Sequence, residues 1–181
     1  MKTLLISVAA LTLSAGFAMA ENPMVGGAAM YDTKNIIENA VNSADHTTLV
    51  AAVKAAGLVE TLSGAGPFTV LAPTNEAFAK LPAGTVESLL KPENKATLVK
   101  ILTCHVIAGS AMSGDIMGMI KADGGKHVVE TVGGCKWTLT DKDGKVMITD
   151  EMGNTATVTI ADVKQSNGVI HVIDTVLLPK M

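Results

Sequence analysis

The sequence lacks arginine. All 14 of its basic residues are lysines, and they are scattered among 17 acidic residues. Proteins that bind nucleic acid normally carry clustered Lys and Arg, so this composition argues against a nucleic-acid partner. The net charge of −3 argues in the same way against strong attraction to anionic lipid. Aromatic residues make up only 3% of the chain, so aliphatic side chains and ten methionines must supply most of the core.

Long apolar runs are missing beyond the N-terminus. Residues 1–20 are typical of a signal peptide: Lys2 gives a positive start, an apolar run follows, and Ala18-Met19-Ala20 is a small-residue cleavage site before Glu21. No other stretch reaches the roughly 20 apolar residues that cross a bilayer, so no membrane span is predicted. We expect an exported protein, either periplasmic or secreted to the cell surface, whose net charge moves from −3 to −4 when Lys2 is removed.

Only two cysteines are present, Cys104 and Cys135, and they do not form a C-x-x-C motif. A disulfide is permitted in an oxidising compartment, and closing this loop would stabilise the fold by about 3–4 kcal/mol in the chain-entropy model. The alternative is two buried thiols that act as small hydrophobic groups. A redox function is a third hypothesis, which the missing C-x-x-C motif argues against.

Signatures of catalysis and metal binding are scarce. There is no G-x-S-x-G nucleophile elbow, and no two of the four histidines have the spacing of zinc ligands. Asp141 to Gly144 is similar to part of a calcium loop, with Asp150 at the last ligand position, but Leu139 occupies the first position. A hairpin turn is the better prediction for this segment. We therefore predict no enzyme, no metal site and no cofactor.

The hydrophobic period changes near His127. Before it, apolar stripes predict short helices, including one over Thr47 to Ala56 that Asp45 caps and Gly57 ends. After it, period-two runs separated by turns predict an antiparallel meander and a final strand from Val169 to Leu178. Helices followed by strands predict an α+β fold.

Residues 21–32 are rich in Gly, Ala and Met and show no clean period. We expect them to form a mobile or loosely docked arm that precedes a domain over residues 33–181.

One stretch combines a turn, a strand and the start of a helix. Gly66-Pro67 precedes an apolar run from Phe68 to Leu71, which suits a buried strand. Pro73 is expected to end that strand. Thr74 can then cap a helix through its hydroxyl, with Phe78 facing inward one turn later.

This stretch, Gly66 to Phe78, resembles the first signature box of the fasciclin domain family, and Asn167 to Asp174 resembles the second box. Cys104-His105 lies between them, where the family usually carries Tyr-His, and Leu71 replaces a more usual aromatic residue. The resemblance implies a β-wedge or sandwich of mostly antiparallel strands with several short helices. It implies structural roles for Phe68, Thr74, Asn75, Phe78, His105, Asn167, Gly168 and His171.

The histidines are predicted to be structural. His105 and His171 lie in apolar segments, where an imidazole needs a hydrogen-bonding partner. A polar cluster that includes Thr74 or Asn75 is the expected partner. His46 and His127 lie near predicted element ends and are expected at the surface.

The resemblance also implies an interaction role. In animal fasciclin domains an Asp-Ile pair shortly before the second box is associated with integrin recognition, and Asp162-Val163 occupies the matching positions here. The flanking Glu-Pro of that motif is replaced by Ile160-Ala161, and the pair can equally end a strand at a solvated turn. We expect a non-enzymatic adhesion module that binds surface or matrix proteins or glycans, with weak self-association.

The alternative function is a carrier of a small apolar ligand. Some algal members of the family bind carotenoids, and an interior rich in Met and poor in aromatic residues could accommodate an elongated ligand.

Overall fold

The computed structural model describes residues 22–180. The predicted signal peptide, residues 1–20, lies outside the described residues. The strands are β1 (Met24–Val25), β2 (Ala28–Ala29), β3 (Phe68–Pro73), β4 (Val106–Ala108), β5 (Lys126–Glu130), β6 (Lys136–Lys142), β7 (Lys145–Thr149), β8 (Thr155–Gln165) and β9 (Gly168–Ile173). The α-helices are α1 (Ile36–Ala40), α2 (Thr47–Ala56), α3 (Val59–Ser63), α4 (Asn75–Ala79), α5 (Thr85–Leu89), α6 (Lys95–Cys104) and α7 (Ser113–Ala122).

Seven strands form one sheet in the order β4-β3-β9-β8-β7-β6-β5. β3 and β9 run parallel, and every other neighbouring pair in this sheet is antiparallel. β5 to β8 form the predicted meander, and the β6–β7 turn places Asp143 and Gly144 in the left-handed region, with φ of 55° and 78°. Two successive left-handed residues make the hairpin turn that matches the strand twist. The predicted α+β class and mostly antiparallel sheet are confirmed.

The core has two parts. The first lies between helices α1, α2 and α6 and the β3–β9 region, and it includes Val53, Leu102 and Ile170. The second lies between α7 and the meander and surrounds Trp137, which is fully buried. Aliphatic side chains dominate both parts, as the scarcity of aromatic residues requires.

The N-terminal arm differs from the prediction. Residues 24–29 form the β1–β2 hairpin, whose turn uses the left-handed Gly26 and Gly27. Val25 and Met30 are only 3% and 2% exposed, because the hairpin inserts both side chains into the first core. A two-residue strand is too short to give a period, so the sequence pattern could not predict this docking.

Two element ends also differ from the predictions, whereas β3 ends at Pro73 as expected, with Pro73 opposite Ile173 in the parallel pairing. β9 ends at Ile173 rather than at Leu178, although Val176 and Leu177 stay buried beyond it. Asp45 does not cap α2, because a 3-10 turn over Ala44–His46 precedes that helix. Gly57, with φ of 75°, ends α2 as predicted. Within residues 22–180, no helix has both the length and the apolar character to cross a membrane.

Candidate functional site

The two signature boxes lie side by side as β3 and β9. Their parallel register pairs Phe68 with Gly168 at one end and Pro73 with Ile173 at the other. A Cβ atom at Gly168 would overlap the backbone of Phe68, and one at Gly66 would overlap the carbonyl of Asn167. The boxes therefore meet at a distance that only glycine allows.

The start of α4 follows the prediction for the first box. Thr74 Oγ1 accepts the Ala77 N–H at 3.2 Å, which caps the helix. Phe78 is buried, whereas Phe68 is only partly buried. Of the two aromatic side chains in this box, Phe78 therefore contributes more to the core.

Asn75 fastens α4 to α2. Its side-chain oxygen accepts the Thr48 N–H at 3.0 Å and the Thr47 hydroxyl at 3.2 Å, and its amide donates to the Ala44 carbonyl at 2.8 Å. These bonds satisfy free backbone groups at the start of α2, where the local sequence supplies no side-chain cap.

Asn167 joins three elements at the turn between β8 and β9. Its side-chain oxygen accepts the Ile36 N–H at 3.0 Å, at the start of α1. Its amide donates to the carbonyls of Leu62 and Gly64 at 2.8 and 2.9 Å, at the end of α3. Asn167 thus holds two helices against the entry of β9.

His171 hydrogen-bonds only to backbone groups. Nε2 donates to the Ala111 carbonyl at 2.8 Å, and Nδ1 accepts the Asp162 N–H at 3.2 Å. These partners require a neutral imidazole that carries its proton on Nε2. Burial lowers the pKa of His171, although the Ala111 carbonyl and the Asp162 carboxylate oppose the shift.

Asp162 and Ser113 form a second connection beside His171. The carboxylate accepts the Ser113 N–H at 2.6 Å and the Ser113 hydroxyl at 2.5 Å, so Asp162 caps α7 from strand β8. Ser, Asp and His are the residue types of a hydrolase triad, but here the hydroxyl donates to the carboxylate and backbone groups occupy both imidazole nitrogens. The imidazole therefore cannot accept a proton from Ser113 in this arrangement.

The Asp162-Val163 pair lies within β8, not at its end. Val163 is fully buried in the first core, so a partner cannot contact it in this conformation. Asp162 adopts a left-handed φ of 60° at a bulge in the β8–β9 pairing. A bulge of this kind is not visible in the residue pattern, which explains why the sequence suggested an exposed pair.

His105 is also held by the backbone, and the expected partners Thr74 and Asn75 do not contact it. Nδ1 donates to the Ile101 carbonyl at 2.8 Å, and Nε2 accepts the Leu177 N–H at 3.1 Å. Complete burial lowers the pKa of His105 to about 4, against opposing contributions from the Ile101 carbonyl and the Asp150 carboxylate. The imidazole therefore connects α6 to the C-terminal segment in its neutral form.

Cys104 and Cys135 form a disulfide with a Cα–Cα distance of 5.4 Å. Of the alternatives left open by the sequence, the disulfide is thus the one present. Trp137 Nε1 donates to the Cys104 carbonyl at 2.6 Å. The bond and the indole together fasten the end of α6 to β6.

His46 was expected at the surface but is only 4% exposed. Nδ1 lies 2.8 Å from the Ser43 hydroxyl, whereas Nε2 is the single buried side-chain polar atom in residues 22–180 that lacks a hydrogen bond. Burial lowers the pKa of His46, against opposing contributions from the Ala72 carbonyl and the Asp45 carboxylate. The imidazole borders an apolar cavity of about 50 Å³ beneath the β1–β2 hairpin. The other lining residues include Val25, Met30, Ile36, Leu49 and Val53.

Two further buried polar residues could not be identified from the residue pattern. Asn39 is fully buried, and its side chain bonds to the backbone of Tyr31 and to the Gln165 side chain. Asp150, considered above as a calcium ligand, accepts hydrogen bonds from the N–H groups of Met152, Asn154 and Leu178. No group of three His, Cys, Asp or Glu side chains within the described part of the chain is placed to hold a metal ion.

His127 was also expected at the surface but is partly buried in β5, with 23% of its side chain exposed, and its Nδ1 is 2.7 Å from Asp123 Oδ2. The contact links α7 to the start of the meander.

Comparisons with known proteins agree with this arrangement. The model of the fasciclin domain matches residues 44–179. Protein sll1483 of Synechocystis sp. is 52% identical over 161 residues, which cover 89% of this chain and 82% of that protein. The cell surface glycolipoprotein MPB83 of Mycobacterium bovis is 40% identical over 122 residues, which cover 67% of this chain and 48% of that protein.

Among solved structures, a FAS1 domain pair from the insect cell adhesion molecule Fasciclin I superposes with a TM-score of 0.70 at 18% identity. The match covers 80% of this chain and 51% of that chain. At this identity the likeness concerns the fold alone, whereas the domain match extends over more than half of the sequence. The chain belongs to the fasciclin domain family.

Proposed function

We propose that this chain is an exported, non-enzymatic interaction module that binds proteins or glycans at the cell surface or in the surrounding matrix. The observation that carries the proposal is family membership, since relatives with the same domain include a cell surface glycolipoprotein and a cell adhesion molecule. The signal-peptide pattern of residues 1–20 supports export.

The internal use of the polar residues supports a non-enzymatic role. Both ring nitrogens of His105 and of His171 hydrogen-bond to backbone groups, and the Asp162 carboxylate accepts hydrogen bonds at the start of α7. Residues held in this way stabilise the fold but have no free group for substrate chemistry. Function is then expected from the surface.

The end of the domain near the β1–β2 hairpin is our candidate contact surface. Met24 lies in β1, Tyr31 lies just after β2, and Val41 follows α1; these side chains are 58%, 43% and 49% exposed. Met and Tyr are enriched in protein interfaces. Asn39 holds α1 against Tyr31, so these side chains project from a fixed support.

Labelled protein covering residues 21–181 should bind intact cells of the native host saturably. Pretreating the cells with protease or with periodate then separates protein receptors from glycan receptors. The Met24→Ser/Tyr31→Ala variant should lose most binding. Met152→Ser is the matched control, because Met152 is 60% exposed and lies in the β7–β8 turn rather than in the β1–β2 hairpin. If binding does not saturate, and deleting the gene leaves adhesion and biofilm unchanged, the adhesion role is wrong.

A second candidate function is the carriage of a small apolar ligand, and the cavity beside His46 favours it. The cavity is lined mainly by apolar side chains, and its polar residues include His46, whose Nε2 has no hydrogen-bonding partner. An apolar ligand with one polar end would suit this lining. A volume of about 50 Å³ is small, since an apolar cavity that binds benzene has about 150 Å³. An elongated ligand would therefore have to displace the β1–β2 hairpin.

Mass spectrometry of organic extracts from natively purified protein tests this alternative. A ligand present at a fixed molar ratio, and lost from the His46→Leu variant, would support carriage. Extracts without such a ligand, from protein whose fold is intact, would contradict it.

A further inference from the structure

Strand β5 forms one edge of the seven-stranded sheet, and within residues 22–180 only β6 pairs with it. Alternate side chains of β5, those of Lys126, Val128 and Glu130, are exposed, and Val128 is 57% exposed. An edge strand presents unpaired N–H and C=O groups that can pair with another chain. This edge is therefore able to accept one more strand.

The hairpin between β5 and β6 determines which backbone groups face the open edge. The Thr131 N–H donates to the Cys135 carbonyl at 2.9 Å, so these residues form a hydrogen-bonded pair. Hydrogen-bonded and non-hydrogen-bonded pairs alternate along an antiparallel ladder. Residues 127 and 129 therefore bond to β6, and Lys126, Val128 and Glu130 direct their N–H and C=O groups outward. Within the described chain, no backbone group outside β6 bonds to residues 126–130.

The charges along this edge are arranged to fit a second copy of the same chain. We propose that two copies pair antiparallel through β5, with Val128 of one copy opposite Val128 of the other. This register places Lys126 of each copy opposite Glu130 of the other. Cross-strand neighbours of opposite charge stabilise a sheet, whereas like charges in the same positions destabilise it.

The same register also aligns the backbone groups. Lys126, Val128 and Glu130 of one copy would face the outward groups of the other, which gives about six backbone hydrogen bonds. A shift by one residue would set outward groups against groups already bonded to β6. A shift to an axis at residue 127 or 129 keeps backbone pairing but no longer places Lys126 directly opposite Glu130. The axis at Val128 is thus the one that satisfies both conditions.

The usable edge is short, which sets the expected strength. Beyond Glu130 the Val132 N–H is already bonded to the Val106 carbonyl at 2.8 Å, so β5 offers only five residues. A contact of this size corresponds to a weak, concentration-dependent dimer. Its existence does not depend on the envelope binding proposed above, because a monomer could still bind cells.

Sedimentation equilibrium of residues 21–181 over a concentration series tests the dimer. Lys126→Glu and Glu130→Lys should each weaken dimerisation at least about ten-fold, because each change creates two like-charge pairs. The double variant Lys126→Glu/Glu130→Lys should regain wild-type affinity. An equimolar mixture of the two single variants should form a heterodimer although neither associates alone.

Val128→Pro provides an independent test. Proline removes the outward N–H of Val128 but no β5–β6 bond, so the fold should persist while the dimer is lost. Near-ultraviolet circular dichroism confirms that each variant is folded. A wild-type chain that remains monomeric up to about 1 mM would overturn the proposal. The proposal would also be overturned if the single charge reversals left the dimer affinity unchanged, or if the double variant did not restore it.

Discussion

Phe68 and Gly168 lie opposite each other at the start of the β3–β9 pair, and a Cβ atom at Gly168 would overlap the Phe68 carbonyl oxygen. We therefore expect Gly168→Ala to lower the free energy of unfolding by about 2–3 kcal/mol, through strain in the backbone. Urea unfolding followed by the fluorescence of Trp137, the single tryptophan, measures the change. Gly118→Ala in α7 is the control, because open space surrounds that position. It should raise stability by about 0.5–1 kcal/mol, and equal effects at both sites would contradict the close approach of the boxes.

Asp162 is expected to act as a cap for α7 rather than as an exposed contact. Asp162→Ala should destabilise the domain by about 1–2 kcal/mol through the lost bonds to Ser113. The left-handed φ of 60° at this position is also energetically unfavourable for alanine. Asp143→Ala is the control for that backbone strain, because Asp143 has a similar φ of 55° but lies in an exposed turn. If the two variants unfold at the same urea concentration, Asp162 is not a cap.

Stability should fall on mild acidification. The folded pKa of His105 is about 4, below the ordinary 6.5, because burial disfavours the charged imidazole. Between these two pH values the His105 side chain binds a proton in the unfolded chain but not in the folded one. The free energy of unfolding therefore falls by up to about 3 kcal/mol as the pH falls from 6.5 to 4. The lowered pKa values of His46 and His171 act in the same direction.

The pH effect is measured by urea unfolding at pH 7.0 and pH 5.0. In His105→Gln the difference between the two free energies should shrink, whatever its stability at pH 7.0. An undiminished difference would place the acid sensitivity elsewhere.

The disulfide between Cys104 and Cys135 should be a structural bond. Its loop of 31 residues predicts that Cys104→Ser/Cys135→Ser loses about 3–4 kcal/mol. Wild-type protein unfolded in the presence of a reductant should show the same loss, whereas the double variant should not respond to the reductant. An unchanged cell-binding activity in the folded double variant would argue against a redox role.

Phe78 should matter more to stability than Phe68. Phe78 is buried, so Phe78→Ala is expected to lower the free energy of unfolding by about 3–5 kcal/mol. Phe68 is partly exposed, so Phe68→Ala should lower it by less. Urea midpoints of the two variants in the opposite order would show that the first box packs differently from this description.

Much of the fold could be predicted because local rules and the long-range packing agree. The Thr74 cap, the Gly57 helix end and the Asp143-Gly144 turn each depend on a few neighbouring residues. The same holds for the meander, whose period-two runs and turns define its strands. These features needed no knowledge of which segments meet.

Features that depend on distant partners could not be predicted. Asn75 caps α2 across 27 residues, and Asp162 caps α7 across 49 residues. The burial of His46 results from the hairpin that covers it, and Gly26 and Gly27 give no hydrophobic period from which to infer that cover. The contacts of His105 and the burial of His46 and Val163 therefore differ from what the sequence led us to expect.

The most direct test of the central claim, that this domain acts by binding at its surface, is an equilibrium isotherm. Labelled protein of residues 21–181 is titrated onto intact cells of the native host, with and without excess unlabelled protein. We predict saturable binding that the unlabelled protein displaces. The Met24→Ser/Tyr31→Ala variant should lose most of this binding, whereas Met152→Ser should retain it. A linear isotherm without displacement, obtained with folded protein, would contradict the account.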